Sequence, residues 1–315
     1  MNERLSPWRL GATLYMPATR TDIAETILHN KIAGLRSLVI CLEDAVSDAD
    51  IPLARKNLRQ LLLRLANEKQ QHGNTHWPLI FIRPRNSQMG AELMNTPDLD
   101  LSVIDGLVLP KFTQQSLPVW WEMLQSSSLC LMPTLETADV FDVQQMQQLA
   151  NVLADHPCRS RIIALRIGGN DLLNVISLRR PNHVTLYDTP MGYVIKMLVA
   201  VFAPQGFALT APVCEHIDDH QILEQEVALD ICHGLSGKTV IHPAQIRHIE
   251  TALQVSSADH RDAVRILNTT QAVFKTQGAM CEPATHRNWA ETILTRAQIY
   301  GITEETDPTD TRFSA

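Results

Sequence analysis

129-LCLMPTLET-137 and 161-RIIALRIGGNDLL-173 each hold a short apolar run with an acidic residue standing just past it, Glu136 and Asp171. Each run has the length and continuous apolar character of a buried strand. Six further runs share that form: 11-GATLYMP-17, 37-SLVICLED-44, 78-PLIFIRPR-85, 105-DGLVLPK-111, 207-FALTAPV-213 and 238-KTVIHP-243. Between them lie stretches of helical periodicity, among them 21–34, 52–68, 137–154 and 218–234. Thr21 and Thr137 read as N-caps, Gly34 and Gly234 as C-terminal stops. Continuous apolar strands alternating with helices describe a parallel sheet covered on both sides, and eight of them predict an α/β (β/α)₈ barrel. An open doubly wound sheet gives a similar rhythm, but no GxGxxG follows the first strand.

The barrel accounts for residues 1–256, with 243–255 as its closing helix. Two more helices, within 259–278 and 283–301, form a C-terminal helical extension that with a polar tail covers 257–315. A hydrophobic content of 45% supplies a large core. A formal charge of −7 argues against nucleic acid or an anionic membrane as partner. The six cysteines have no CxxC spacing; Cys41 and Cys130 sit inside strand-like runs and read as buried thiols. A reducing, cytoplasmic setting follows, and MNERLSPWRL has no apolar signal segment.

In such a barrel, functional groups collect where strands end. Those positions hold Pro17, Arg20, Glu43, Asp44, Arg83, Arg85, Lys111, Glu136, Asp171, Cys214, Glu215 and His242. Glu136 and Asp171 are the candidate metal ligands: Mg²⁺ takes hard oxygens and keeps several waters, so two carboxylates and a chelating substrate suffice. Gly169, beside Asp171, lets backbone and ligand approach closely. The plainer alternative makes both acids helix caps. Arg83 and Arg85 offer forks for a substrate carboxylate, or pair with Glu43 or Asp44. Glu43 and Asp44 either hold water and arginine around a metal or open an acidic loop. Lys111 is a Schiff-base candidate or an ion-pair partner. His242 is a base or a packed loop residue. Arg20 and 179-RRP-181 are weak phosphate candidates without a P-loop.

The same residues carry a resemblance to the HpcH/HpaI aldolase and citrate lyase β-subunit superfamily, over about residues 10–250. Its marks are 14-LYMPATR-20, 41-CLEDAV-46, 82-IRPRN-86, 109-LPK-111, 135-LET-137, 167-IGGNDL-172 and 240-VIHPAQI-246, seven in order at barrel-strand spacing. The wording of 166-RIGGNDLLNVISLRRP-181 and 234-GLSGKTVIHPAQI-246 resembles a divergent branch of carbon–carbon bond lyases associated with tellurite-resistance-type gene clusters. The resemblance implies a Mg²⁺-dependent aldol or Claisen-type lyase acting on a small hydroxy acid or hydroxyacyl-CoA thioester. Glu136 and Asp171 would bind Mg²⁺, and Arg83 the keto-acid carboxylate. Glu43 and Asp44 would join Arg83 in catalysis, while Arg85, Pro17, Arg20 and Gly169 would line the substrate. A homo-oligomer, trimer or hexamer, is implied as well.

Two departures are visible. CoA-dependent relatives carry an aspartate in a DGKMID-like segment; the matching 278-GAMCEPATHRNWA-290 has none, leaving Glu282 or His286 as substitutes. The arginine motif is RPRN rather than RVN. These keep two alternatives open: a CoA-free aldolase on a keto acid in a nucleotide-like biosynthetic pathway, or a non-catalytic, metabolite-binding barrel.

Overall fold

A computed structural model describes residues 6–73, 77–97 and 99–303. The tail expected over 302–315 lies almost wholly outside them. Two compact units divide the chain, one up to Ile249 and one from Glu250 on.

The first unit is built on eight parallel strands: β1 (Gly11–Pro17), β2 (Ser37–Cys41), β3 (Leu79–Arg83), β4 (Gly106–Leu109), β5 (Cys130–Leu135), β6 (Leu165–Ile167), β7 (Leu209–Thr210) and β8 (Gly237–Val240). Each pairs with its sequence neighbours, and β1 also pairs with β8. A parallel bridge between Ala211 and Lys238 joins β7 to β8, so the barrel closes. The connecting helices are α1 (Ile23–Leu28), α2 (Ile51–His72), α3 (Ser87–Met94), α4 (Leu117–Leu124), α5 (Val143–Asp155), α6 (Gly169–Val175), α7 (Pro190–Phe202), α8 (His220–Cys232) and α9 (Ala244–Ala252). α2 shows why they form: Ala54, Leu58, Leu61, Leu62 and Leu65 recur at helical spacing and are the residues it buries. Pro52 opens it and Gly73, at φ +71°, ends it.

Some local expectations change. The segment 21–34 is helical only over Ile23–Leu28, entered through Asp22 rather than Thr21. Glu136 caps no helix: α5 starts at Val143, where Asp142 accepts from the backbone N–H groups of Gln144 and Gln145. Asp171 lies in the first turn of α6 rather than at its N-cap, which is Gly168.

Strand parity sorts the barrel interior into two levels. One end is apolar, with Val39, Leu79, Phe81, Val108, Cys130, Met132 and Ala164 clustered together. Toward the carboxyl ends the same inward positions become Tyr15, Arg83, Thr134, Arg166 and Thr239. Thr134, Arg166 and Thr210 are register partners across β5, β6 and β7. On the outer side of β8, Lys238 reaches α8 and bonds Glu226 (2.8 Å) and Asp230 (2.9 Å). Arg180 completes this buried network, donating to Glu226 at 2.5 Å and to the Val213 carbonyl at 2.8 Å. Arg180 is thus salt-bridged rather than facing a phosphate. Cys41 and Cys130 are buried free thiols.

The second unit contains β9 (Val255–Ser256), α10 (Ser257–Asn268), the hairpin β10 (Phe274–Thr276)–β11 (Ala279–Cys281), α11 (Pro283–Tyr300) and β12 (Ile302–Thr303), which pairs with β9. Its small core joins Val255, Ala263, Ile266, Phe274, Ala290 and Ile293. Two helices are present as expected, but residues 274–278, within the segment expected to be helical, form the first strand and turn of the hairpin. Among the described residues no helix is long and apolar enough to cross a membrane.

Candidate active site

The carboxyl ends of β2 to β6 deliver one ionic cluster. Arg83, the last residue of β3, is buried, and its Nη2 meets Glu43 Oε2 at 2.5 Å, Glu136 Oε1 at 3.1 Å and Asp44 Oδ2 at 3.3 Å. Lys111, just past β4, spans the other side: its Nζ lies 2.6 Å from Glu43 Oε1 and 3.4 Å from Asp171 Oδ1. Lys111 adopts φ +47°, and its backbone N–H donates to Glu136 Oε1 at 2.7 Å. A non-glycine residue in that left-handed region is unusual and here serves to aim an amide at the carboxylate.

Glu136 is held tightly. A Cβ placed on Gly168 would come within 2.4 Å of both Glu136 Cβ and Oε2, so only glycine leaves the carboxylate this room. Asp171 follows three residues later, in the first turn of α6, where the amide dipole favours an anion. Together with Asp44, Arg83, Tyr15, Thr134, Arg166 and Gly169, these two acids line a pocket of about 180 Å³ at the mouth of the barrel.

The protonation balance of this cluster is uneven. Burial pushes Glu136 up to about 7, with Arg83 opposing and the Asp171 charge adding to the rise. Partial burial and the adjoining Glu43 lift Asp44 to about 6. Burial works against Glu43 too, but its hydrogen bond to Asp44 and the charges of Arg83 and Lys111 hold it below the usual carboxylate range. Lys111 is partly desolvated, yet its carboxylate neighbours, Glu43 foremost, raise its proton affinity. A lysine held as an ammonium ion is an ion-pair partner and a poor Schiff-base nucleophile.

The structure therefore brings Glu43, Asp44, Arg83, Glu136, Gly169 and Asp171 to one place. Pro17 ends β1 beside Cys41 but is absent from the pocket lining. Arg85 turns away, bonding Asp48 and donating to the Val46 carbonyl. Arg20 grips Asp22 at 2.6 and 2.9 Å on the surface and lines a separate hollow against α2. Glu215 accepts from Asn170 at 3.2 Å, Cys214 is buried, and His242 Nδ1 accepts from the Ala244 N–H, leaving that nitrogen no role as a base. In the second unit His286 Nδ1 is bonded to the Glu282 carbonyl at 2.8 Å. The reading of strand ends alone passed over Arg166 and Tyr15, which face the pocket from within β6 and β1.

The donor set fits a hard divalent cation better than a softer one. Glu136 and Asp171 are oxygen donors with a mutual repulsion that a cation relieves, and the Gly168 cradle keeps Glu136 Oε2 clear. Among the described residues no group of three or more His, Cys, Asp or Glu side chains could hold a metal ion.

A closed parallel barrel with acids, an arginine and a lysine converging at its carboxyl end defines a TIM-barrel enzyme scaffold. The sequence places it further: residues 4–302 match the family described as C–C bond lyase of the TIM-barrel fold, and the chain belongs to that family of carbon–carbon bond lyases. No curated protein matches it. Among solved structures, CitE from Mycobacterium tuberculosis in complex with magnesium, acetoacetate and coenzyme A is 22% identical, with TM-score 0.64, covering 92% of this chain and 99% of that one. RipC from Yersinia pestis is 21% identical with TM-score 0.58, over 81% of this chain and 99% of that one. A citrate lyase from Burkholderia xenovorans is 14% identical with TM-score 0.66, over 94% of each chain. These likenesses bear on the fold.

Proposed function

We propose that the chain is a Mg²⁺-dependent lyase that cleaves or forms a carbon–carbon bond in a small hydroxy acid or its CoA thioester. The observation that carries this is the convergence of Glu136 and Asp171 with Arg83 on a single pocket. Glu136 and Asp171 would hold Mg²⁺, and CitE, a neighbour of like fold, is described in complex with magnesium. When bound, the ion supplies Lewis-acid stabilisation of an oxygen on which negative charge develops.

The protein's own groups divide the remaining work. Arg83 is fixed by three carboxylates, and its buried Nε has no hydrogen-bond partner among the described residues, a donor that a substrate oxygen would satisfy. Asp44 is the acid of the cluster with the most exposed side chain and holds a proton up to about pH 6. That value suits a base that takes the substrate hydroxyl proton as the carbon–carbon bond breaks and returns one to the departing enolate carbon. Glu43, bonded to Arg83 and Lys111, positions both cations rather than exchanging protons.

The test is keto-acid release from malyl-, citramalyl- and related hydroxyacyl-CoA thioesters and from the corresponding free acids. Turnover with Mg²⁺ that disappears with EDTA and in Glu136→Ala supports the reading; turnover indifferent to both refutes it. The missing aspartate in 278–290 favours free acids as a second reading, which predicts cleavage of these and none of the thioesters.

A further inference from the structure

Arg166 is an arginine in the centre of a barrel strand, 1% exposed, and therefore a charge withdrawn from water. Such a charge is costly unless paired. Its nearest partners are neutral: Nη2 donates to Thr239 Oγ1, Nη1 approaches Met132 Sδ at 3.7 Å, and the guanidinium carbon stands 5.3 Å from the centre of the Tyr15 ring, while the Glu136 charge acts on it from beyond ion-pairing distance. Among the described residues no carboxylate lies within ion-pairing distance of it. This contrasts with Arg83, which has three, and Arg180, bound to Glu226.

Its neighbours repeat the pattern. Thr134, its register partner on β5, is 2% exposed, and its Oγ1 has no hydrogen-bond partner among the described residues. Arg166, Thr134, Tyr15 and Thr239 all line the pocket that holds Glu136 and Asp171. Arg83 and Arg166 both approach the Tyr15 ring, at 6.0 and 5.3 Å from its centre, and both line the pocket. A guanidinium, a free hydroxyl and a threonine hydroxyl match the acceptors of a carboxylate.

We propose that Arg166, with Thr134 and Thr239, forms a second anion subsite inside the barrel that takes a terminal carboxylate, making the enzyme selective for keto acids with two carboxylates. This rests on the lyase reading above, in which Arg83 and the two metal-binding acids hold the keto-acid end. The Arg166 charge is then completed by the ligand, which explains why the fold keeps an unpaired cation there.

The test compares oxaloacetate with 2-oxobutanoate, which carries a methyl group in place of the second carboxylate, by calorimetry with Mg²⁺. The wild-type protein binds oxaloacetate at least ten times more tightly. In Arg166→Met, of similar length and neutral, the gap falls below about threefold while 2-oxobutanoate affinity is kept. Thr134→Val, which is nearly isosteric and leaves the arginine in place, reduces the gap several-fold and provides the readout should Arg166→Met not fold. A wild-type gap that persists unchanged in both variants, or in Thr134→Val alone should Arg166→Met not fold, overturns the subsite and leaves the keto-acid reading standing. A wild type that binds both acids equally also overturns the subsite alone. Binding of neither acid in the presence of Mg²⁺ overturns both.

Discussion

Gly168→Ala is a one-carbon change whose consequence can be worked from the geometry around Glu136. The added Cβ would stand 2.4 Å from Glu136 Cβ and Oε2, whereas ordinary contact begins near 3.4 Å. Gly168 has φ −87°, which alanine adopts without strain, but no rotamer relieves the clash with Glu136 Cβ, so the ends of β5 and β6 must move apart by about 1 Å and carry the carboxylate with them. Catalytic groups tolerate roughly half that, and a 1 Å misplacement costs about 100-fold in rate. The expected outcome is a fall of about that size in kcat/KM with visibly weaker Mg²⁺ binding. The overpacking itself should cost about 1–3 kcal/mol of stability. Calorimetric Mg²⁺ titration, steady-state kinetics and a denaturant melt measure the three effects. A folded variant with wild-type Mg²⁺ affinity and activity within threefold of wild type would refute the argument that Gly168 exists to seat Glu136.

Other outcomes follow from the same structure. Arg83→Ala should abolish keto-acid binding, whereas Arg85→Ala and Arg20→Ala, whose side chains are tied to Asp48 and Asp22, should change it less than about threefold by calorimetry. Asp44, lifted to about 6, gives kcat/KM an acidic limb that rises up to about pH 6 and then levels; Asp44→Asn removes the limb along with most of the rate. Lys238→Met strips a buried partner from Glu226 and Asp230 and should lower unfolding free energy by about 3–5 kcal/mol in a urea melt. Burial opposes ionisation of Glu226, but Lys238 and Arg180 hold it down at about 2, so it stabilises the fold above its unfolded value near 4.5 and that contribution disappears as pH falls toward 2. Wild-type stability should accordingly drop more steeply between pH 4.5 and 2 than that of Glu226→Gln, measured by urea midpoints across that range.

The barrel was legible because each strand is a continuous apolar run, the pattern a doubly covered parallel strand must have. Its weakest members, β6 and β7, are short enough that only their place in the series identifies them. Glu136 and Asp171 were legible because an acid directly after such a run has few other reasons to be there. Arg20 and Arg85 share that position, but each finds an acid close by in its own loop or the next one, and position alone does not say which way a side chain turns. Arg166 escaped notice for the opposite reason: it sits inside the run, where a charge looks like an interruption. Its parity with Gly168 and its place opposite Thr134 were the available signals. The hairpin at 274–281 was hidden by helical periodicity, although its turn, Gln277 at φ +46° and Gly278 at φ +81°, is the left-handed pair that a tight hairpin favours.

The proposed chemistry needs Glu136 and Asp171 to act together as a metal seat, and Mn²⁺ binding followed by electron paramagnetic resonance tests that without knowledge of the substrate. Wild-type protein should bind one Mn²⁺ per chain, displaced by Mg²⁺, with affinity lost by tenfold or more in Glu136→Gln and again in Asp171→Asn. Undiminished Mn²⁺ binding in both variants would contradict it.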